Sequence, residues 1–254
     1  MLISQGSARN ERINLNLACS LALIAGALNA AAFYAVGFFS ANMTGNVSAL
    51  SDHLATARWN QALFFLAVVI IFVLGAAISS LLINSGRRRG IAAIYAYSIL
   101  VEAILLALLG IADIWLLAAW RPPLLTLGLA FLMGLQNATV TRISDARVRT
   151  THISGMATDI GIELGIAMDI LRGREPDAHA AENRTRLTLH IWTIGAFLTG
   201  GVLGVFAYQH VGGYLLLICA ALLFVISFKG IRRRRGTYTT TATRRLRWPP
   251  RSER

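Results

Sequence analysis

QALFFLAVVIIFVLGAAISSLL, from Gln61 to Leu82, contains no charged residue. A helix of about 20 such residues crosses the hydrocarbon core of a bilayer, so this stretch reads as a transmembrane span. It stops shortly before Arg87-Arg88-Arg89, a basic cluster of the kind that sets orientation. Working outward, apolar runs of similar length recur at about Leu15–Phe39, Ile91–Ile111, Pro122–Thr141, Thr188–Tyr208 and Val211–Ile231. Pro122 and Pro123 suit a helix start, where the missing N–H costs nothing. Trp59, Trp115, Trp120, Tyr208 and Tyr214 fall near span ends, where amphipathic rings favour the headgroup layer. The composition agrees, because 14% charged residues is well below the roughly 25% of a soluble domain.

The basic residues divide by side. The N-terminus, the second loop, the fourth loop and the tail carry 22 lysines and arginines, and the first, third and fifth loops carry 2. The positive-inside rule then places both termini in the cytoplasm and predicts six spans. The expected localisation is the bacterial inner membrane, multi-pass. The net charge of +12 is concentrated beside membrane runs, so it reads as a topology signal and no nucleic-acid partner is expected. The expected domains are a cytoplasmic N-terminus over residues 1–14, a six-helix membrane domain over 15–231, and a basic unstructured tail over 232–254 that meets anionic lipid. Cys19 and Cys219 lie inside apolar runs as small hydrophobes. No metal-ligand spacing or nucleophile motif occurs, so neither a cofactor nor enzymatic chemistry is expected.

The chain also resembles itself. Gly26-Ala27-Leu28-Asn29-Ala30 matches Gly134-Leu135-Gln136-Asn137-Ala138 at an offset of 108. Each is followed by a polar motif, Asn42-Met43-Thr44-Gly45-Asn46 in one case and Thr150-Thr151-His152-Ile153-Ser154-Gly155 in the other. The reading is two halves of three spans each, about 15–112 and 122–231. An odd number of spans per half inserts the second half upside down, the build of many transporters. The expected fold is thus all-α, with six transmembrane helices as two inverted three-helix repeats.

Ala41-Asn42-Met43-Thr44-Gly45-Asn46, Gly134-Leu135-Gln136-Asn137-Ala138 and Val148-Arg149-Thr150-Thr151-His152 resemble the YoaK-like family of bacterial integral membrane proteins, a domain of unknown function. The resemblance covers about Leu17 to Phe228 and implies an inner-membrane protein of about six helices, with no established substrate. The family often has aspartate at the position of Asn29, and its second motif usually reads Met-Thr-Gly where this chain has Ile153-Ser154-Gly155.

Buried amides in a span must find partners, because lipid offers none. Asn29 and Asn137 are therefore either interhelical glue or a pair of ligand-binding amides where the halves meet. Thr44 or Asn46 is expected to cap a helix over Val47–Leu54, and Ser154 one over Met156–Leu171, with Gly45 and Gly155 allowing the turns. Such helices either lie on opposite membrane surfaces or re-enter the bilayer and aim their N-termini at a ligand. Glu102, a carboxylate well inside a span, is either a structural hydrogen-bond partner or a proton-coupling group. Asp159 and Glu163 share a helical face and form either a salt-bridged surface with Arg142, Arg147 and Arg149 or a cation-binding pair. His190 is the histidine kept in view. The expected function is movement of a small solute near Asn29, Thr44, Gly45, Asn46, Asn137, Thr151, Ser154 and Gly155. The rival is a non-transporting partner subunit or sensor. Oligomeric state is not legible.

Overall fold

The computed structural model describes residues 2, 10–115 and 119–245. Helix α1 spans Glu11–Val36, α2 Met43–Ala55, α3 Trp59–Arg88 and α4 Ile94–Trp115. Helix α5 spans Arg121–Ser144 and α6 Ile153–Leu171. After a short 3₁₀ turn at Asp177–His179 come α7 (Ala180–Val211) and α8 (Tyr214–Arg245). The described residues form no strand, so the fold is all-α. Six of the helices, α1, α3, α4, α5, α7 and α8, are long and apolar enough to cross a membrane. The chain is a multi-pass membrane protein, and α2 and α6 are its two shorter helices.

Local sequence accounts for the ends. Asn10 caps α1 by accepting the Ile13 N–H at 2.9 Å. Gly37 closes the same helix with φ of +77°, a left-handed conformation that costs glycine nothing, and donates its N–H to Phe33 O at 2.8 Å. The first span therefore ends at Val36, three residues before the expected boundary at Phe39. Helix α5 begins with proline in its first turn, as expected. Helix α8 continues to Arg245, into the segment expected to be unstructured, and residues 246–254 lie outside the described residues.

The core sits among α1, α4 and α5. Leu17, Leu21, Leu28, Ile99, Leu106, Leu129 and Met133 are fully buried there. The outer helices reverse the usual pattern of a soluble protein. On α3, Leu63, Val73 and Leu81 are exposed, as are Leu198, Val202 and Phe206 on α7. These apolar side chains face lipid, which replaces water as the solvent of the bundle.

Helix α1 packs chiefly on α7, α3 on α5, and α4 on α8. The short helices lie on the outer ones, α2 on α3 and α6 on α7. Small residues make the two tightest crossings. A Cβ added to Gly26 would lie 2.0 Å from Phe197 O, and one added to Gly200 would lie 2.0 Å from Leu23 O. At the α3–α5 crossing, a Cβ on Gly134 would lie 2.0 Å from Phe72 O, and one on Gly75 2.1 Å from Phe131 O. Gly204 meets Ala27 in the same way, so the Gly200-x-x-x-Gly204 pair is a close-packing seam.

Candidate functional site

Each mid-span asparagine holds the loop that follows its own helix. Asn29 lies seven residues before the end of α1, ~10 Å along its axis. Its Oδ1 accepts the Ala41 N–H at 2.9 Å. Asn137 stands at the corresponding depth of α5, where its Nδ2 donates to Thr151 Oγ1 at 2.7 Å. Thr150 Oγ1 donates back to Asn137 Oδ1 at 3.2 Å. The structure thus ties Asn29 to the first motif loop and Asn137 to the second, and forms no hydrogen bond between the two amides.

The motif helices start earlier than the sequence predicts, and other residues cap them. Helix α2 begins at Met43, and Asn42 caps it by accepting the Gly45 N–H at 3.0 Å. Thr44 and Asn46 instead lie within its first turns, with Asn46 Nδ2 donating to Phe39 O at 3.3 Å. Helix α6 begins at Ile153 after His152, without a side-chain cap, so Ser154 lies inside the helix and accepts through its carbonyl from Thr158. The correction has a steric cause. A Cβ on Gly45 would lie 2.5 Å from Asn42 Nδ2, and one on Gly155 2.3 Å from His152 Nδ1. In both motifs the residue before the helix folds over the glycine.

Helix α6 runs antiparallel along α7. Asn183 Nδ2 donates to Glu163 O at 2.9 Å, His190 Nδ1 lies 3.0 Å from Glu163 Oε1, and His190 Nε2 lies 4.0 Å from Asp159 Oδ2. Glu163 and Asp159 therefore face a histidine instead of the expected arginines. Arg142 bonds Asn84, and Arg149 lies 3.2 Å from His152 Nδ1. The shared face of Asp159 and Glu163 was legible from their spacing, but the partner on α7 was not, because periodicity carries no information on which helix packs alongside.

A cavity of about 920 Å³ opens between the N-terminus of α1, the α5–α6 loop, α6 and the start of α7. Five arginines line it (Arg12, Arg147, Arg149, Arg184 and Arg186), against three carboxylates (Glu11, Asp159 and Glu182), with His190 among them. Arg186 is held by Glu182 at 2.6 Å. Arg149 and Met156, which flank the second motif, border the cavity, whereas none of Asn29, Thr44, Gly45, Asn46, Asn137, Thr151, Ser154 and Gly155 lines it. The bend that opens it passes through Asp145 and Ala146, at φ of +55° and +60°. Neither is a glycine, so this turn is strained relative to an ordinary one.

Just before the first motif, Phe38 belongs to an aromatic cluster. Phe38 packs on Phe64 and Phe65 with ring centroids 5.1 and 5.6 Å apart, and His53 stacks on Phe65 at 5.3 Å. Nearby in sequence order but on the later helices, Asp113 at the end of α4 pairs with Arg121 at the start of α5, and Tyr208 of α7 donates to Asp113 Oδ2 at 3.0 Å. Tyr208 is thus buried against an ion pair, whereas the sequence places it in the headgroup layer. Trp59, Trp115, Trp120 and Tyr214 are exposed, as that layer requires.

Glu102 of α4 is completely buried and accepts from Gln136 Nε2 of α5 at 3.0 Å. Gln136 lies beside Asn137 in the repeated Gly134–Ala138 segment but is not among the expected site residues. Its signal was available, since a glutamine one residue from Asn137 needs a partner on a different helix face.

Among protein families, one matches residues 17–228 and is described as a protein of unknown function (DUF1275), consistent with the resemblance carried by the motifs. No curated protein matches the chain. No solved structure matches it either.

Proposed function

We propose that this chain, which belongs to the DUF1275 family of unknown function, moves a small anionic solute across the bacterial inner membrane by opening to one side at a time. The observation that carries the reading is a cavity of about 920 Å³ bordered by Arg149 and Met156, which flank the second motif, and lined by an excess of arginine. The charge split puts the cavity on the cytoplasmic side. Five arginines against three carboxylates attract negative charge.

Support for two conformations comes from the way the helices pair. If α1 to α4 are exchanged with α5 to α8, the α1–α7 crossing becomes the α3–α5 crossing and the α2–α3 contact becomes the α6–α7 contact. The residues follow the same exchange. Gly26 and Leu23 on α1 correspond to Gly134 and Phe131 on α5 at an offset of 108, and Gly200 and Phe197 on α7 correspond to Gly75 and Phe72 on α3 at an offset of 125. Two halves built as inverted copies have interchangeable conformations, which is the physical basis of alternating access. The proposed site is divided between the two motif loops, with Thr151, Ser154 and Gly155 lying between Arg149 and Met156, which border the present cavity. Thr44, Gly45 and Asn46 would be reached in the alternate state, and Asn29 and Asn137 would hold the two loops.

The test is charge movement in proteoliposomes on a solid-supported membrane. The probes are concentration jumps of inorganic phosphate, acetate, lactate and glutamate. At least one should give a transient current that Arg149→Ala reduces at least tenfold. Absence of current and of isotope uptake for all four, with correctly folded protein in the vesicles, would overturn the reading and favour the partner-subunit alternative.

A further inference from the structure

We infer that Glu102 and Gln136 form a buried binding site for one proton, supplied along a polar path from the membrane face that carries Arg87–Arg89. Both side chains are fully buried, where each polar atom needs a partner. Gln136 Nε2 donates to Glu102 Oε1 at 3.0 Å. That leaves Glu102 Oε2 and Gln136 Oε1 as buried atoms with no partner. Two orphaned acceptors on a facing carboxyl and amide share one deficiency, the absence of a donor hydrogen. A proton on Oε2 supplies it. The acid O–H then donates to the amide oxygen while the amide N–H donates to the acid carbonyl, and all four groups are satisfied as a closed acid–amide pair. A metal cation would need four or more further oxygens, and the hydroxyls one turn away are already engaged with one another.

Those hydroxyls mark the path. Ser98 lies one turn from Glu102 on α4, and Thr139 one turn from Gln136 on α5. Ser98 Oγ and Thr139 Oγ1 are 2.7 Å apart, and Ser79 Oγ of α3 is 2.9 Å from the same Thr139 oxygen. A further turn on, Tyr95 Oη donates to Arg142 O at 3.4 Å, and Arg142 bonds Asn84. Ser79, Ser98 and Thr139 are fully buried, so the column leads from the core to the ends of α3 and α5 without passing through lipid. Among the described residues, none of the other titratable groups on the helices around Glu102 hydrogen-bonds or ion-pairs with it. They are Tyr95, Tyr97 and the Arg121-paired Asp113 on α4, Arg142 on α5, Arg87 and Arg88 at the end of α3, and Tyr214, Cys219, Lys229 and Arg232 on α8, which continues into further arginines. An ionised Glu102 would therefore stand without a counter-ion in the core, an arrangement that membrane interiors disfavour.

This site is independent of the solute cavity as a proton site, and it rests on the transport reading only in being a coupling site. The measurement is infrared difference spectroscopy of the protein in lipid at neutral pH. Wild type minus Glu102→Gln should show one carboxylic-acid C=O stretch, absent from the variant. Gln136→Leu should keep that band and shift it upward, because the hydrogen bond to the acid is lost. The band should fade as wild type is titrated to alkaline pH, a readout that needs no variant. Overturning results are a carboxylate stretch in its place at neutral pH, no band change on either substitution in folded protein, or a band removed by sodium at constant pH. None of these depends on solute movement, so a proton site found beside a silent transport assay would refute transport and leave the site standing.

Discussion

At the scale of single residues, the helix crossings are decided by the absence of a side chain. Gly26, Gly75, Gly134 and Gly200 each let a backbone carbonyl of the facing helix approach to where a Cβ would stand. A backbone carbonyl cannot rotate away as a flexible side chain does, so even alanine forces the helices apart. Overpacking of this kind costs ~1–3 kcal/mol or more. Gly134→Ala and Gly200→Ala should each lower the melting temperature in detergent by several degrees. Gly161→Ala, which has open space around it, should match wild type or exceed it slightly through better helix propensity. Equal melting of all three variants would show that the crossings are looser than described. The Gly200 seam was legible in its four-residue spacing. The equivalent role of Gly75 was not, because it stands in a wholly apolar run where nothing singles it out until its partner is known.

At the scale of elements, the two short helices show how far sequence patterns reach. Their existence and their glycines were readable, since a Thr-Gly or Ser-Gly pair between apolar runs marks a turn. Their starting residues were not, because Asn42 and His152 compete with Thr44, Asn46 and Ser154 for the cap, and only the geometry over the glycine settles the contest. The partnership of Glu163 with His190 was equally hidden, since it joins residues 27 apart on different helices. Helix α8 makes the opposite point. The helix packs on α4, and its extension to Arg245 is basic. Truncation after Gly236 should leave the melting temperature of the membrane domain unchanged. It should also weaken binding to anionic vesicles relative to neutral ones, at ~1 kcal/mol per basic residue near the surface. A truncated protein that aggregates in detergent would assign the extension a structural role.

At the scale of the whole molecule, the proposed function requires two halves that are inverted copies, with α2 and α6 on opposite faces of the membrane. Six spans and an all-α bundle were readable from hydropathy and charge alone. Which helices pair was not, because the principal contacts join α1 to α7, α3 to α5 and α4 to α8, never neighbours in sequence. Sidedness tests the inversion directly. In a background with Cys19 and Cys219 replaced by alanine, single cysteines at Ala57, in the α2–α3 turn, and at Arg174, in the α6–α7 linker, are exposed to a membrane-impermeant maleimide in right-side-out and inside-out vesicles. The account predicts that Ala57→Cys is modified only from the periplasmic face and Arg174→Cys only from the cytoplasmic face. Modification of both from the same face, in protein that remains folded, would contradict it.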